Sequence, residues 1–554
     1  MKQKNMFIVM ILFLLPFILF AQTENWVYRY NGSANDEDVA YSVVCGSDGN
    51  IYVAGKSLSM ITGMDFTVIS FKTTGDTNWI YKYDGPTESE DIAYSIVYGL
   101  DGNIYVAGEG SGMGTGHDFM VISLTTAGDT NWTYRYNGSA NGYDFANSIV
   151  YGLDGNIYAA GHSVGEGTFY DFTVISIDTT GAENWVYTYN GTENFYDVAH
   201  AIVYGLDGNI YAAGSCEETL TPQDFIVISL TTEGDTNWTY RYNGPGTAGN
   251  LAFSIVYGSD DNIYAAGFSA AIDTSVDFTV ISIDTTGTEN WVYTYNGPGN
   301  EEDFAYSIVY GSDGNIYAAG RSVGMGTSND FMVISLTTVG DTNWTYRYNG
   351  SANHWDIAKS IVYGSDGNLY VAGYASNLVT SKDFTVISLD TTGAENWVYG
   401  YSAASSFYWD EAHSIAYGLD GNIYAAGYSI YSTGAGIWDF TVISLGSVGV
   451  EEETALRLVP HALRLLVVYP NPFSRLTHIK FQAPNSKSQV TMSLYDAAGR
   501  MVKDFPLPNA YSLLPTEVSW NGVDNAGQKL PAGVYFLEFQ VGDYKETRKL
   551  ILVR

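Results

Sequence analysis

Acidic residues recur at two fixed positions of an internal repeat, where they could serve acid–base or cation chemistry. One set precedes an apolar run such as AYSIVY, and its members are Asp38, Asp91, Asp144, Asp197, Asp303, Asp356 and Asp410, with Asn250 in the remaining repeat. The other set precedes phenylalanine, and its members are Asp65, Asp118, Asp171, Asp224, Asp277, Asp330, Asp383 and Asp439. Paired carboxylates suit a glycosidase, and carboxylate oxygens suit a cation. Regular repetition favours a structural role instead, in which each Asp accepts backbone N–H bonds at its loop, because an active site breaks symmetry.

One position does break the symmetry of the repeat. Between an alanine and a run such as SIV stand Tyr41, Tyr94, Asn147, His200, Phe253, Tyr306, Lys359 and His413. We predict a ligand-binding set of mixed polar and aromatic character, made of Tyr41, Tyr94, Asn147, His200, Tyr306, Lys359 and His413. The alternative interpretation is that these side chains fill space between packed repeats, where variation is tolerated.

Other catalytic signatures are missing from the sequence. The seven histidines include no HExxH pair. The glycine-rich run GSGMGTG lacks the Gly-Lys-Ser/Thr of a phosphate loop. Tyr and Trp could stack on sugars, but their regular W-x-Y-x-Y spacing favours packing. We therefore predict no catalytic residue, no metal ligand and no cofactor.

These residues are positioned by a repeat of 53 residues. Its marker is a tryptophan after asparagine, at Trp26, Trp79, Trp132, Trp185, Trp238, Trp291, Trp344 and Trp397. Each unit holds four apolar runs of strand composition, which we name A to D, such as AYSIVYG, NIYVAG, DFMVISL and NWTYRY. The Asp-Gly-Asn between A and B predicts a tight hairpin. The sequence therefore predicts an all-β chain of four-stranded units.

Residue sizes favour an eight-bladed β-propeller. Strands A and B carry Ala, Ser and Gly, whereas strand D carries Trp and Tyr, which fits blades that crowd at the axis and diverge at the rim. The chain opens on a D-type strand at Trp26–Tyr30 and ends its last repeat without one, so the N-terminal strand is expected to close the ring. Strand A is then innermost, which places the variable position near the central channel.

The loops between strands B and C vary, while the A–B and C–D turns repeat. The variable segments are Lys56–Met64, Glu109–His117, His162–Tyr170, Ser215–Gln223, Phe268–Val276, Arg321–Asn329, Tyr374–Lys382 and Tyr428–Trp438. Loops carry function on many scaffolds, so we predict that this face binds something. Unconstrained drift of the loops is the alternative.

The pattern D-x-A-x-S-I-V-Y-G-x-D-G-N-I-Y-x-A-G resembles the repeat of a bacterial β-propeller family, over about residues 26–445. Members of that family are often exported. They are usually described as seven-bladed, whereas eight repeats occur here. The resemblance implies a fold and implies no activity.

A second module follows, with short strands expected over HIKFQA, QVTMSLYD, EVSWNG, GVYFLEFQ and KETRKLILV. This pattern is typical of a small Ig-like β-sandwich. The runs YPNPF, YDAAGRMV and LPAGVYFLEF resemble the C-terminal sorting domain of the bacterial type IX secretion system, over about residues 467–554. The resemblance implies handling by that machinery and release or attachment at the cell surface. An adhesive Ig-like domain is the alternative.

The ends and the charge complete the domain plan. Lys2 and Lys4 precede an apolar run, which predicts a signal peptide over 1–21. The propeller is assigned to 22–446, a linker to 447–466 and the sorting module to 467–554.

The net charge of −36 argues against nucleic acid as a partner. No membrane insertion is expected after cleavage. Two cysteines, Cys45 and Cys216, fall in distant repeats and should be free thiols.

We therefore expect a secreted or cell-surface binding scaffold without catalysis, delivered by its C-terminal module, with a glycan or a protein as ligand. A secreted polysaccharide-active enzyme with carboxylates on the variable-loop face is the first alternative. A structural surface-layer component is the second.

Overall fold

The computed structural model describes residues 23–446 and 466–552, apart from short gaps. These gaps are 88, 193, 219–220, 273–274, 379, 404–407, 431–436, 470–476, 482–489, 497–498, 506–515, 527 and 542–543. The expected signal peptide and nearly all of the expected linker lie outside the described residues.

The first four blades follow one another along the chain after an opening strand, β1 (Thr23–Tyr30). Their strands are β2 (Asp38–Cys45), β3 (Asn50–Ser59), β4 (Gly63–Lys72), β5 (Thr77–Tyr83), β6 (Ile92–Tyr98), β7 (Ile104–Gly112), β8 (Gly116–Leu124), β9 (Thr130–Tyr136), β10 (Phe145–Tyr151), β11 (Ile157–Val164), β12 (Tyr170–Ile177), β13 (Glu183–Tyr189), β14 (Val198–Tyr204), β15 (Ile210–Glu218), β16 (Thr221–Leu230) and β17 (Thr236–Tyr242).

The last four blades repeat the pattern. Their strands are β18 (Leu251–Tyr257), β19 (Asn262–Ala270), β20 (Val276–Asp284), β21 (Glu289–Tyr295), β22 (Phe304–Tyr310), β23 (Ile316–Val323), β24 (Asn329–Leu336), β25 (Thr342–Tyr348), β26 (Ile357–Tyr363), β27 (Leu369–Asn377), β28 (Ser381–Leu389), β29 (Glu395–Tyr401), β30 (Tyr408–Trp409), β31 (Glu411–Tyr417), β32 (Asn422–Ile430) and β33 (Trp438–Gly446). The short β30 pairs in parallel with β28.

The propeller prediction is confirmed, with eight antiparallel sheets of strand order A-B-C-D. The expected closure is present, because β1 pairs with β33 and completes blade 8, with Tyr30 opposite Phe440. The first strands of neighbouring blades contact one another all round the ring, including β2 with β31. Closure satisfies the edge of strand C in the last blade, which would otherwise be exposed.

Local chemistry explains the regular blades. In the A–B hairpin, Gly102 adopts a φ of +82° and donates its N–H to the Gly99 carbonyl, as a tight turn requires. At the rim, the indole of each strand-D tryptophan packs on the next blade. Trp26, for example, donates its Nε1–H to the Thr73 carbonyl and lies over Gly75. Small residues fill the inner strands, since alanines such as Ala40 and Ala93 are fully buried.

The inner ring is further linked by serine hydroxyls of strand A. Six backbone N–H groups donate to the serine of the preceding blade; an example is Ile96 N to Ser42 Oγ, at 3.4 Å. In every blade the residue just before this serine position is skipped in the pairing of strands A and B, which is a β-bulge.

The C-terminal module has two sheets, and its strands are β34 (Leu466–Tyr469), β35 (Thr477–Phe481), β36 (Val490–Asp496), β37 (Met501–Asp504), β38 (Thr516–Trp520), β39 (Gly533–Val541) and β40 (Tyr544–Leu552). The sheet orders are β34-β35-β38 and β37-β36-β39-β40. Ile479 and Trp520 from the first sheet share one core with Leu494 and Leu537 from the second. This core gives the module a hydrophobic centre of its own.

Two smaller expectations have different outcomes. Cys45 and Cys216 form no disulfide with each other, as predicted. The predicted loops between strands B and C are too long, because the strands extend further. In blade 1, β3 runs to Ser59 and β4 begins at Gly63, so Lys56 belongs to a strand and is buried.

Candidate functional site

The B–C loops and the D–A loops form one face of the propeller, which we call the variable face. In every blade the aspartate or asparagine at the start of strand A joins the two kinds of loop. Asp38 accepts hydrogen bonds from the Gly32 N–H in the D–A loop and from the Leu58 N–H near the end of strand B, at 2.6 and 3.0 Å. Asn250 does the same in blade 5, with Gly244 and Ala270 as donors. The structural interpretation of this aspartate set is confirmed.

The aspartates of strand C depart from that interpretation, because side chains supply their main bonds. Asp118 accepts from the Arg135 guanidinium at 2.6 Å, and Asp330 accepts from Arg347 at 2.7 Å. Asp171 takes a bond from Thr168. These bonds tie the B–C loops to strand D or hold the loop itself, so this second set of aspartates also has a structural role.

The predicted ligand-binding residues all occupy the bulge of strand A. We call the eight bulge residues the bulge ring: Tyr41, Tyr94, Asn147, His200, Phe253, Tyr306, Lys359 and His413. A bulge re-aims its side chain, and here each side chain is partly buried on the innermost strand of its blade.

Neighbouring members of the ring touch. Tyr41 lies between Tyr94 and His413, with ring centroids 5.7 and 5.5 Å away. On the other side of the ring, Phe253 contacts both His200 and Tyr306, at 6.0 and 5.2 Å.

Two members make polar contacts with a neighbouring blade. The Lys359 ammonium lies 5.3 Å from the Tyr306 ring centroid. Asn147 donates to the Ala199 carbonyl of the next blade. The seven predicted residues therefore lie in one ring. Packing between blades and a ligand pocket both predict this arrangement.

Burial controls the protonation of this ring. It lowers the pKa values of His200 and His413 to about 4, so both imidazoles are neutral at pH 7. Burial also lowers the pKa of Lys359 and raises that of Tyr306. The ring therefore offers neutral donors and acceptors together with a lysine that is poorly solvated.

A second layer of varied residues was missed as a site by the sequence analysis. It follows the Ala-Gly of strand B and pairs with the start of strand A, as Glu109 pairs with Ile92 and Tyr428 with Glu411. Glu109, Lys56 and Tyr428 are almost fully buried. The residue type at this repeat position changes from blade to blade, which could have pointed to a site. The sequence analysis instead placed these residues in the B–C loops.

The varied residues of blades 7 and 8 surround Lys382, and we call this group the lysine cage. The Lys382 ammonium lies 4.2 Å from the Tyr374 ring centroid, 4.3 Å from that of Trp409 and 5.6 Å from that of Trp355. It donates to Glu411 Oε1 at 3.0 Å. Trp355 and Trp409 are 44% and 48% exposed, so two indoles face solvent beside a fixed cation.

Blade 2 holds a different cluster around the buried Glu109 carboxylate. The Tyr94 hydroxyl donates to Glu109 Oε1 at 2.5 Å, and His117 Nδ1 lies 2.7 Å from Oε2. The hydrogen bond to Glu109 raises the pKa of His117. The hydroxyl of Ser89, in the D–A loop, lies 3.4 Å from the other imidazole nitrogen.

Blade 3 buries a histidine without hydrogen-bond partners. His162 packs against the rings of Tyr170 and Phe145, with centroids 4.2 and 4.8 Å away. Neither of its ring nitrogens has a partner among the described residues. Burial lowers its pKa to about 3, so this imidazole is neutral.

The loop tips of the variable face carry apolar side chains that are more than half exposed. They are Met60, Ile61, Met113, Phe169, Ile272, Met325 and Leu378. Within the described ranges, no cluster of three His, Cys, Asp or Glu side chains could hold a metal ion. The described residues also include no helix long and apolar enough to cross a membrane.

Comparison with protein families identifies the end of the chain. Residues 467–553 match the model of the secretion system C-terminal sorting domain. The resemblance of the repeats to the bacterial propeller family stays a prediction, since this match covers the C-terminal module. No curated protein matches the chain.

Solved structures match the chain at low identity and low TM-score. A fungal alcohol oxidase of the AA5 family, solved with copper, is 10% identical, with a TM-score of 0.36 over 97% of this chain and 100% of its own. PorZ, a surface component of the type IX secretion system of Porphyromonas gingivalis, is 12% identical, with a TM-score of 0.27 over 93% and 81%. The GH93 α-L-arabinofuranosidase of Fusarium graminearum is 11% identical, with a TM-score of 0.34 over 54% and 92%.

The sorting-domain match determines where the protein goes. Chains with this module are handled by the type IX secretion system, so the protein is secreted or displayed at the cell surface.

Proposed function

We propose that this exported propeller is a binding scaffold that holds a neutral polysaccharide on its variable face without cleaving the chain. The observation that carries the proposal is the lysine cage, where Trp355 and Trp409 flank Lys382 with their indoles exposed. Two neighbouring exposed indoles form an apolar patch of the kind that marks a ligand-binding surface.

The chemistry of the cage suits a sugar. The apolar C–H face of a pyranose stacks on an indole, while its hydroxyls need nearby donors and acceptors. Glu411 and Lys382 supply both beside the two rings, and their pairing leaves little net charge. Trp409 is placed by a parallel β-bridge to Lys382, so the platform is built on paired backbone rather than on a free loop.

Charge favours a neutral ligand. Residues 22–446 carry ten Lys and Arg against fifty Asp and Glu, so a polyanionic glycan would be repelled. The exposed apolar loop tips favour a protein partner as the second candidate, because scattered Met, Ile and Leu side chains offer no hydroxyl recognition.

The alternative of a polysaccharide-cleaving enzyme finds less support. It requires two carboxylates free to act across a sugar bond. The strand-A aspartates instead spend both oxygens on backbone N–H groups, as Asp91 does with Gly85 and Ser111 at 2.7 Å each.

The test uses the exported chain against a panel of soluble polysaccharides. Neutral mannan, dextran and xyloglucan are compared with polyanionic alginate and polygalacturonate, with reducing sugar measured in the same mixtures. We expect binding of a neutral polymer without release of sugar, and a loss of at least tenfold in affinity for Trp355→Ala combined with Trp409→Ala.

Tyr196→Ala is the matched control, because Tyr196 stands at the same repeat position in blade 4 and is also exposed. Its affinity should stay near that of the unmodified chain. Released reducing sugar would support the enzyme instead, and an equal response of both variants, or no binding to any polymer, would overturn the proposal.

A further inference from the structure

Three side chains of blade 2 stand in the order of a nucleophile, a base and an orienting carboxylate. Ser89 Oγ lies 3.4 Å from His117 Nε2, and His117 Nδ1 lies 2.7 Å from Glu109 Oε2. Ser89 belongs to the D–A loop before β6, Glu109 to β7 and His117 to β8. The fold of one blade therefore assembles the relay from three separate segments.

The surroundings fit the three roles. Glu109 is 2% exposed, and the Tyr94 hydroxyl holds its second oxygen, so the carboxylate is fixed and shielded. Ser89 and His117 are each partly exposed, which leaves the hydroxyl open to a substrate. A serine–imidazole contact of 3.4 Å is loose, as such contacts often are before substrate binds.

The relay breaks the repeat symmetry at all three positions. The position of Ser89 is occupied in other blades by Asp36, Gly142, Phe195, Ala248, Glu301, His354 and Tyr408. The position of Glu109 is occupied by Lys56, His162, Ser215, Phe268, Arg321, Tyr374 and Tyr428. The position of His117 is occupied by Met64, Tyr170, Gln223, Val276, Asn329, Lys382 and Trp438. A role in the fold would recur around the ring, as the strand-A aspartates do, whereas this combination occurs once.

We propose that Ser89, His117 and Glu109 form an acyl-transfer site that hydrolyses neutral short-chain carboxylic esters. The rings of Tyr143 and Phe145 lie 5.2 and 6.1 Å from the His117 ring and provide an apolar wall for a small acyl group. Glu90 and Asp91 act electrostatically on the same imidazole, so an anionic substrate would be repelled. The proposal is independent of polysaccharide binding at the lysine cage.

The reaction balances with water as the only co-reactant. Ser89 Oγ forms a bond to the ester carbonyl carbon as His117 Nε2 takes the hydroxyl proton. The bond between that carbon and the alcohol oxygen breaks, and the alcohol leaves with the proton from His117. Water then attacks the acyl-serine, with His117 as base, which releases the carboxylic acid and restores the Ser89 hydroxyl.

The pH dependence has a defined sign. Glu109 by hydrogen bond and charge, and Glu90 and Asp91 by charge, raise the pKa of His117 above 6.5, while its partial burial opposes them. Tyr94 also faces Glu109, and burial raises the pKa of its phenol, so it is uncharged at neutral pH. Tyr143 packs its ring against the imidazole. Because only the neutral imidazole accepts the proton, the rate should rise with pH through a midpoint above 6.5.

The test applies a fluorophosphonate probe and p-nitrophenyl acetate to the full exported chain. We expect one probe per chain, bound to Ser89 in the peptide map, and no labelling of Ser89→Ala. His117→Gln should slow labelling about 100-fold, in line with the loss of a general base. Glu109→Gln should also slow it, and its labelling midpoint should move to lower pH.

Ser139→Ala is the matched control, since Ser139 is an exposed serine in the corresponding loop of blade 3. It should label and hydrolyse like the unmodified chain. Thermal melts identify any variant that has lost its fold, and Ser89→Ala, which removes one hydroxyl, keeps the test decisive. Absence of labelling, labelling of another residue, or an unchanged rate in folded His117→Gln would overturn the proposal. Polysaccharide binding by Ser89→Ala should be unchanged, so the two proposals can fail separately.

Discussion

The Val43 backbone N–H of the first blade donates to the Ser414 hydroxyl of the last blade, at 3.2 Å. The same bond recurs between neighbouring blades, for example from Ile361 to Ser307. The seam between the two ends of the repeat array is therefore built like the seams within it. Its special feature is that β1, from the start of the chain, completes blade 8.

Removal of β1 should open this seam. A chain that begins at Asn31 loses the backbone partners of β33 and the Trp26 contact with Thr73. Its melting temperature should fall by at least 10 °C, and the exposed edge of β33 should promote association. Scanning calorimetry and light scattering check this against a chain that begins at Thr23. An unchanged melting curve would show that the ring does not depend on β1.

The closing seam also lacks one aromatic contact that the other blades have. In blade 2, Tyr98 at the end of strand A lies 5.8 Å from Tyr52 of blade 1. Blade 1 has Cys45 at that position, and a pocket of about 260 Å³ lies between Cys45 and Tyr424 of blade 8.

Cys45→Tyr should fill this pocket and restore the contact. We expect the free energy of unfolding to rise by about 1 kcal/mol, the usual scale of an aromatic pair. Cys45→Ser is the control, because it removes the thiol and leaves the space open. Chemical denaturation measures both variants. If Cys45→Tyr destabilises the chain more than Cys45→Ser does, the pocket cannot hold a tyrosine side chain.

The buried aspartates of strand A should make the protein more stable at mildly acid pH. Burial raises the pKa of Asp356 to about 7 from its usual 3.8. The folded chain then binds a proton that the unfolded chain releases between these values. This contribution is complete below about pH 4 and is lost as the pH rises to about 7.

Asp356→Asn tests this pH effect, with Asn250 as the natural precedent. Asn250 keeps both N–H acceptor contacts and donates its own amide to the Gln223 carbonyl. We expect the variant to fold and to have a smaller difference in melting temperature between pH 5 and pH 8. A difference equal to that of the unmodified chain would mean that Asp356 is ionised over the whole range.

Loss of the sorting module should leave the propeller in the periplasm. A chain that ends at Gly446 lacks residues 467–553, which match the sorting domain. Cell fractionation with immunodetection should find it inside the outer membrane, whereas the full chain reaches the surface or the medium. Fusion of residues 447–554 to a periplasmic carrier is the converse control, and failure to export it would show that the module is insufficient.

The repeat period, the turn residues and the missing last strand were enough to predict the propeller, because each of these signals lies within one or two repeats. The bulge at Tyr41 was not predicted, since it arises from pairing between whole strands. The lysine cage was missed for another reason. Trp355 and Lys382 come from separate segments of blade 7 and Glu411 from blade 8, and only the fold brings them together.

Varied residues in strand B show the same limit. Glu109 and Lys56 follow an Ala-Gly that looks like the end of a strand, and sequence analysis placed them in loops. The strand in fact continues, because its partner in strand C begins earlier than the Asp-Phe pair suggests. Burial of these charged residues became visible only with that register.

Hydrogen–deuterium exchange with and without the bound neutral polysaccharide tests most directly whether the variable face is the binding surface. The account predicts slower exchange on binding at residues 353–357, 374–378 and 408–411, around the lysine cage. Exchange in the A–B and C–D turns should not change. Protection confined to those turns, or protection that survives in the variant lacking Trp355 and Trp409, would contradict it.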